Sequence, residues 1–389
     1  MAAPLANALD RLGTETAFEV LARARALEAQ GRTVLHLEIG EPGVDTAPHI
    51  VEAAAKALRD GYTRYCPAAG LPELREAVAA YVGRTRGTTV DASRVVVAPG
   101  AKPFLGFSVL TTCNPGDEVI YPDPGFPIYE SVIRFAGATP VPLPLVEERG
   151  FAFAASDLAD RLTPRTRLVI LNSPGNPTGG VIDRALNAEL AEVLRPHDCY
   201  ILSDEVYSEI LYGGEHDSLS HYEGLEDRVI VLESASKTFS MTGWRLGYAV
   251  LPEPLVEPMV RLAINTHSCV APATQLAGVA ALTGPMDSVR EMVASLEQRR
   301  DLLVAGLNAL PGVRCALPKG AFYAFPNVSD TGLDANVLAD RLLQEAGVAL
   351  LSGSAFGEHG RGYLRLSTAA PRETIEGALA AIGSLLAAG

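Results

Sequence analysis

Lysine is scarce in this chain of 389 residues. It stands at only four positions, Lys56, Lys102, Lys237 and Lys319. Acidic residues outnumber basic ones, 46 to 32, and the formal charge is −14. That balance argues against nucleic acid or an anionic membrane face as partner and leaves the few cations to bind small anions. The five cysteines (Cys66, Cys113, Cys199, Cys269 and Cys315) show no C-x-x-C spacing, which excludes the common zinc and disulfide frameworks and reads as reduced thiols. The seven histidines show no H-x-x-x-H or H-E-x-x-H spacing, so no metal site is expected. No G-x-x-x-x-G-K-[ST] loop, no G-x-G-x-x-G after a strand and no G-x-S-x-G elbow occurs. No apolar run approaches the ~20 residues that a membrane span needs. The first residues lack the basic start and apolar stretch of a signal peptide. The cytoplasm is the expected compartment.

What is present has a clear texture. "ETAFEVLARARALEAQ" (15–30) has helical spacing and stops at Gly31, and "TVLHLEIG" reads as a strand ending at Gly40. "HIVEAAAKALRDG" and "LPELREAVAAYVGRT" read as two more helices. From about residue 94, short apolar runs alternate with helical stretches: "RVVVAPG", "EVIYPD", "RLVILNSPGNPTGG", "CYILSDEVY" and "RVIVLESASK". These runs are too short and too β-rich for helices, and each ends in polar, glycine or proline residues. The pattern predicts an α/β fold with a mainly parallel central sheet covered by helices on both faces. After about Pro285 a long charged helix precedes short strands at "GVRCALP", "GAFYAFPNV", "GVALLSG" and "GYLRLST" and a closing helix, the texture of a smaller α+β domain.

In such sheets ligands bind at the carboxyl ends of the strands, and the polar residues of these runs gather there. Gly100, Ala101 and Lys102 open a helix after "VVVAP", and a helix N-terminus is an anion site. Asn172 and Asn176 follow "LVIL", Asp204 and Tyr207 follow "CYIL", and Ser234, Ser236, Lys237 and Arg245 follow "VIVL". Taken singly, Asp204 reads as a helix N-cap before "EVY", Arg245 as a surface arginine, and Tyr65 or Phe126 as packing. Taken together, they offer an amine, a carboxylate, amide and phenol donors, and a cup for a phosphate. Pyridoxal 5′-phosphate asks for all of these.

On "LEIGEP", "YTRYCPAAGLPELREAV", "PGAKPFL", "PGDEVIYPDPGFPIYE", "NSPGNPTGG", "LSDEVYSEILY", "SASKTFSMTGWRLGY", "KGAFYAF" and "GYLRLS", in this order, the chain resembles the class I (fold type I) aminotransferases of the aspartate aminotransferase family. The resemblance implies a pyridoxal phosphate enzyme that moves an amino group between an α-amino acid and a 2-oxo acid. It implies three segments: an N-terminal one (1–45) packing with the small domain, a large cofactor domain (46–284), and a small C-terminal domain (285–389). It implies that Lys237 carries the cofactor as a Schiff base, and that Ser234, Arg245, Gly100, Ala101 and Lys102 hold its phosphate. Asp204 is implied to pair with the ring nitrogen, Asn176 and Tyr207 to bond the ring oxygen, and Phe126 to stack on the ring. Lys237, Asp204 and Tyr207 form the catalytic set. Arg365 is implied to clamp the substrate α-carboxylate, with Asn176 and a backbone contact at Gly40. Tyr65 is implied to reach the phosphate of a neighbouring subunit, which makes a homodimer with shared sites.

Other carbanion chemistry on the same site (a lyase, a replacement or a cyclisation) is the alternative, because fold does not fix reaction. The segment "INTHSCVAPATQ" (264–275), which can border a neighbour's site, has neither arginine nor lysine. Neutral, apolar or aromatic donors are therefore expected to react at least as well as aspartate, with Arg261 or Lys102 as the alternative cation for a second carboxylate. "GEPGVDTA" places Gly43 and Val44 where relatives often carry aspartate and an aromatic residue, which reads either as a wider substrate mouth or as drift.

Overall fold

A computed structural model describes residues 5–388. Residues 1–4, which bear on the expected absence of a leader, and residue 389 lie outside the described residues. A short strand β1 (Leu35–His36) follows helix α1 (Thr16–Glu28). Helices α2 (Pro48–Arg59) and α3 (Pro72–Arg86) come next, each with proline in the first turn, where its missing N–H costs no hydrogen bond. Seven strands then build the main sheet: β2 (Val95–Ala98), β3 (Glu118–Asp123), β4 (Thr139–Pro144), β5 (Thr166–Asn172), β6 (Tyr200–Asp204), β7 (Val229–Ser234) and β8 (Gly247–Val250). Their order is β2-β8-β7-β6-β5-β3-β4, with β8 antiparallel to both neighbours and every other pairing parallel.

The alternation of side chains explains why these strands read as continuous apolar runs. Val95, Val97, Ile120, Val169, Ile201, Val229 and Val231 pack into a core on one face. Val96, Ala98, Val119, Leu168, Ile170, Leu202 and Ile230 pack into a second core on the other. Both faces are covered, so both parities must be apolar. Helix α4 (Lys102–Thr112) and helix α5 (Ile128–Ala136) supply Phe104, Phe107, Val109, Tyr129 and Ile133 to the second core.

The structure adds two strands and corrects three expectations. β4, "TPVPLP", is a strand that its three prolines argue against. It is an edge strand bonded only to β3, and Thr139 and Leu145 donate to Asp117 O and Asp123 O, both at 2.8 Å. Pro140, Pro142 and Pro144 alternate with the donating positions and fall on the outward edge, where no donor is required. β8 is equally unexpected, a four-residue strand with no turn signal of its own. "SDEVY" opens a turn and not a helix, so Asp204 is the last residue of β6 and not an N-cap. Finally, "TVLHLEIG" is regular only at Leu35–His36, and "GVRCALP" contributes only the isolated bridge Arg314–Asn327.

The C-terminal part carries β9 (Tyr323–Ala324), β10 (Val348–Ala349), β11 (Leu351–Ser352) and β12 (Leu364–Ser367). β1 pairs in parallel with β10, and the other three form a small antiparallel sheet in the order β11-β12-β9. Leu37 joins Leu303, Leu338, Leu342, Leu366 and Ile375 in a core of its own. The N-terminal segment is thereby tied to the C-terminal part, and Ile39–Glu41 is delivered to the carboxyl ends of the main strands. Among the described residues no helix is long and apolar enough to cross a membrane.

Candidate active site

The parallel strands end in polar residues at one edge of the sheet: Asp123, Asn172, Asp204 and Ser234. A cavity of about 500 Å³ lies over three of these ends. Asn172, Asn176, Asp204, Tyr207, Ser234, Lys237, Arg245, Phe126, Ala101, Lys102, Gly40 and Arg365 all line it. Gly100 abuts it behind Arg245. Tyr65 does not reach this cavity. Its side chain is 90% exposed on the surface of its own chain.

Lys237 sits in the single helical turn after β7, which Ser234 caps by accepting from Ser236 N at 3.1 Å. Lys237 Nζ crosses the cavity and donates to Gly40 O. Desolvation brings its pKa down to about 8. Glu15 and Glu41 oppose that fall, and the positive charges of Arg365 and Arg245 add to it. An amine so placed is partly neutral, hence nucleophilic and basic, near physiological pH.

Asp204 is buried, and desolvation raises its carboxyl to about 6. Tyr129 O–H donates to its Oδ2 at 2.6 Å and favours the anion. A cationic partner in the cavity would lower this pKa and recover the burial cost. Asn172 Nδ2 donates to Asp204 O at 3.0 Å, and Asn172 Oδ1 accepts from Asn176 N at 2.9 Å. Asn176 Oδ1 in turn accepts from Arg365 Nη1 at 3.3 Å. A chain of bonds thus runs from the main-chain carbonyl of Asp204 to the Arg365 guanidinium.

Arg365 is held on three sides. Nη2 donates to Glu38 O, and the guanidinium carbon stands 4.6 Å from the Tyr323 ring centre and 5.0 Å from that of Phe356. Its Nε is buried and has no partner among the described residues. A planar cation stacked between rings, with one donor unspent, is suited to a carboxylate. Tyr323 O–H lies 2.8 Å from Tyr207 O–H, and both phenols are pushed above their usual range by burial. A Cβ on Gly40 would overlap the Tyr323 hydroxyl, so the backbone approach here needs glycine.

The opposite end is an anion cup. Arg245 has φ 56°, and its guanidinium donates to Thr242 O at 2.8 Å and Pro99 O at 3.2 Å. Gly100 has φ 88°, and a Cβ there would run into that guanidinium. The first N–H groups of α4 have no intrahelical acceptor, and Ser234 and Ser236 add hydroxyls. The Lys102 ammonium points elsewhere. It pairs with Glu15 and hovers over the rings of Phe18 and Phe126, at 5.8 and 5.5 Å. Its share in the cup is its backbone.

Behind the cavity a buried ion network underpins the two strands. Arg86 bonds Glu205 Oε2 at 2.5 Å and also Glu233. His216 Nε2 lies 2.9 Å from Glu205 Oε2, and Ser208 donates to Glu233 at 2.7 Å. Burial would raise Glu205, but Arg86 and His216 hold it far below the carboxylate range, whereas burial lifts Glu233 to about 8. Glu205 and Glu233 adjoin Asp204 and Ser234 in sequence, so the network fixes the strand ends that carry them.

Sequence reasoning missed Tyr129, Tyr323, Glu15, Glu41, Phe18 and Thr242 as cavity residues. Glu15 has the look of an acidic residue at a helix start, and Tyr129 that of packing. No local signal marks a residue whose role is a contact 75 positions away.

Comparison with known proteins agrees with this geometry. The family model for aminotransferase class I and II matches residues 32–382. The chain is 38% identical to the aspartate aminotransferase of Pyrococcus horikoshii, over 92% of this chain and 90% of that one. It is 40% identical to the arginine–pyruvate transaminase of Pseudomonas aeruginosa, over 90% of this chain and 89% of that one. The crystal structure of the aspartate aminotransferase of Rhizobium meliloti superimposes with a TM-score of 0.94 at 34% identity, covering 99% of both chains. On its sequence and on the architecture of its sheet, the chain belongs to the class I and II aminotransferases, and its fold is fold type I.

Proposed function

We propose that the cavity holds pyridoxal 5′-phosphate and exchanges an amino group between an α-amino acid and a 2-oxo acid. The observation that carries the reading is the convergence of Lys237, Asp204, Arg245 and Arg365 on one cavity of about 500 Å³. The residues present fit the group. The unpartnered Arg365 Nε calls for a ligand, Gly100 lets the Arg245 guanidinium close against the start of α4, and the donor set offers an amine, a carboxylate, phenol, amide, hydroxyls and guanidinium. Lys237 Nζ would hold the cofactor covalently. Arg245, Ser234 and the backbone of Gly100, Ala101 and Lys102 would bind its phosphate. Asp204 would keep a proton on the ring nitrogen, Asn176 and Tyr207 would bond the ring oxygen, and Phe126 would cover the ring.

Bound pyridoxal phosphate supplies an electron sink for the bond broken at the substrate Cα. Arg365 fixes the α-carboxylate, so that the Cα proton faces Lys237. Lys237 Nζ, with its pKa near 8, takes that proton and returns it. The buried, stacked setting of Arg365 and the Tyr207–Tyr323 pair limits water around the reacting atoms.

The relatives are named for transamination of aspartate and of arginine, which favours transfer over a lyase, replacement or cyclisation reaction. Their donors carry side chains of opposite charge, so no donor is taken over from them. The proposal includes a homodimer, supported by the exposure of Tyr65, and the cytoplasm, supported by five free thiols. It also includes the division into segments 1–45, 46–284 and 285–389, supported by the separate core that Leu37 shares with the C-terminal helices.

The test is borohydride reduction of the purified protein followed by peptide mapping. The cofactor adduct is expected on Lys237, and Lys237→Ala should lose the visible absorption band that Lys56→Ala, Lys102→Ala and Lys319→Ala retain. An adduct on any other lysine overturns the assignment.

A further inference from the structure

The substrate clamp has one wall that no strand secures. Under the proposed function, on which this inference rests, Arg365 binds the donor's α-carboxylate, and its guanidinium lies against the rings of Tyr323 and Phe356. Tyr323 is anchored twice, by its place in β9 and by its hydroxyl, 2.8 Å from that of Tyr207. Phe356 belongs to no strand. It ends a single 3-10 turn (Gly353–Phe356), and Gly357 with φ 122° and a second such turn (Glu358–Gly360) follow at once. Phe325 meets its ring edge-on at 6.2 Å. Even so, a run of short turns leaves the position of that ring to whatever holds its main chain.

The end of β3 holds it. Gly125 N donates to Phe356 O at 2.8 Å. Asp123, the last residue of β3, turns its buried carboxylate to His359. Oδ1 accepts from His359 N at 3.2 Å, and Oδ2 lies 2.8 Å from His359 Nδ1. A carboxylate only accepts, so Nδ1 carries the proton. A Cβ on Gly357 would overlap Asp123 Oδ1, so glycine is what lets the segment pass this close. Among the described residues, His359 is the only side chain of 353–360 that bonds to the main-sheet part, since Ser354 turns to Asn336 and Glu358 to Arg361. The Asp123 side chain is 3% exposed and that of His359 42%. Removing the imidazole therefore opens no core cavity, and what is lost is the bond. The loop that leaves Asp123 carries Phe126, the proposed cover of the cofactor ring, so cover and clamp share one anchor.

We infer that His359 and Asp123 are positioning residues for the reaction, whose paired bonds hold Phe356 against Arg365 and so keep the guanidinium plane set for the α-carboxylate. Neither residue lines the cavity, so both act through the wall they hold. An aromatic face restrains a planar guanidinium by stacking, which a point-like ammonium does not share. With Phe356 released, the Arg365 fork must be ordered anew by each substrate, and that ordering is subtracted from binding.

Non-reacting acids read the clamp without turnover. Titration calorimetry on the cofactor-loaded enzyme uses 3-phenylpropionate and butanedioate, which carry a carboxylate and no amino group. In His359→Ala the tighter-binding acid should lose about tenfold in affinity, while cofactor affinity, from fluorescence titration of the cofactor-free protein, stays within about twofold. His359→Asn, whose amide nitrogen falls where Nδ1 stands, should recover acid binding to within about threefold of the parent, and His359→Gln, whose amide reaches the Nε2 position instead, should not. Arg365→Lys keeps a cation but has no plane to stack, so adding His359→Ala to it should cost less than about twofold. Unchanged acid binding in His359→Ala, no recovery in His359→Asn, or the full loss in the Arg365→Lys background overturns the inference. So does an equal fall in acid and cofactor affinity, because the pair would then serve the fold alone. A parent that retains cofactor and binds neither acid shows instead that the carboxylate clamp of the proposed function fails, and this inference falls with it.

Discussion

Tyr129 O–H lies 2.6 Å from Asp204 Oδ2, and both side chains are buried. Burial lifts the carboxyl to about 6, and the phenol works against that rise by donating to the anion. Without the phenol the anion loses its strongest protein donor, and the pKa moves further up. In Tyr129→Phe the acidic limb of the kcat/KM profile should therefore shift to higher pH by about one unit, with an approximately twofold loss at neutral pH that grows toward tenfold on the acid side of the limb. An acidic limb that stays in place would show that Asp204 is held by some other group.

Lys237 has the opposite sign of shift and a less obvious consequence. Between about 8 and its ordinary 10.5, the unfolded chain binds a proton that the folded chain does not. Stability of the cofactor-free protein therefore rises with pH across that window, and the penalty is fully present below it. Lys237→Met removes the penalty. The cofactor-free variant should be more stable than the cofactor-free parent at pH 7 by on the order of 1–3 kcal/mol, while transferring no amino group. Urea melts at pH 7 and above pH 10 give the comparison, and the difference should fade at the higher value. A less stable variant at pH 7 would mean that the amine is well solvated in its cavity.

The parallel strands are legible in the sequence because a sheet covered on both faces demands apolar residues at both parities, and such runs stand out. β4 is not, because Pro140, Pro142 and Pro144 are tolerated only by an edge whose outward positions need no donor, and edge position is a tertiary fact. The turn after Asp204 escapes a local reading for a related reason. Asp204 O is already taken by Ser173 N at 3.2 Å and Asn172 Nδ2 at 3.0 Å, and its carboxylate gives Oδ2 to Tyr129 and only a long bond, 3.4 Å, to Val206 N, so the carbonyl is not free to start a helix. Lys237, Asp204, Arg245 and Arg365 are readable from motif order, whereas Glu15 and Glu41 acquire meaning only when α1 and β1 are brought against the main sheet.

The network behind the site should dominate stability. Arg86→Leu leaves Glu205 and Glu233 buried without their shared cation. The loss expected is ~3–5 kcal/mol. Glu233 already sits near 8, so it can take a proton, and stability of the variant should recover in part as the pH is lowered toward 6. Denaturant melts across this range check both claims. A loss under about 1 kcal/mol would show that water reaches the network.

Arg365 should control binding and turnover together. Its loss removes a charge-assisted bidentate contact and the donor that orients Asn176. Arg365→Ala should raise KM and lower kcat, with kcat/KM falling about ten- to a few hundredfold. Amines without a carboxylate should react poorly with the parent and no worse with the variant. Steady-state kinetics with an amino acid and its decarboxylated amine decide it, and an equal fall for both would mean that Arg365 serves the fold rather than the substrate.

Tyr65 tests whether sites are shared. It is exposed on its own chain and absent from its own cavity. If it completes a neighbour's anion cup, Tyr65→Ala should weaken cofactor retention about tenfold through the loss of a hydrogen bond to a charged group. Subunit mixing gives the sharper measurement. Lys237→Ala is expected to be inactive, and Tyr65→Ala impaired. In a hybrid of the two, one site receives its lysine from the Tyr65→Ala chain and its tyrosine from the Lys237→Ala chain and is whole, while the other site carries both defects. Mixed and refolded samples should therefore exceed the activity of either parent variant. If Tyr65 served its own chain, no hybrid site would be whole, and mixing would give only the average of the two. That average, measured on hybrids isolated by differential tagging, would remove Tyr65 from the site.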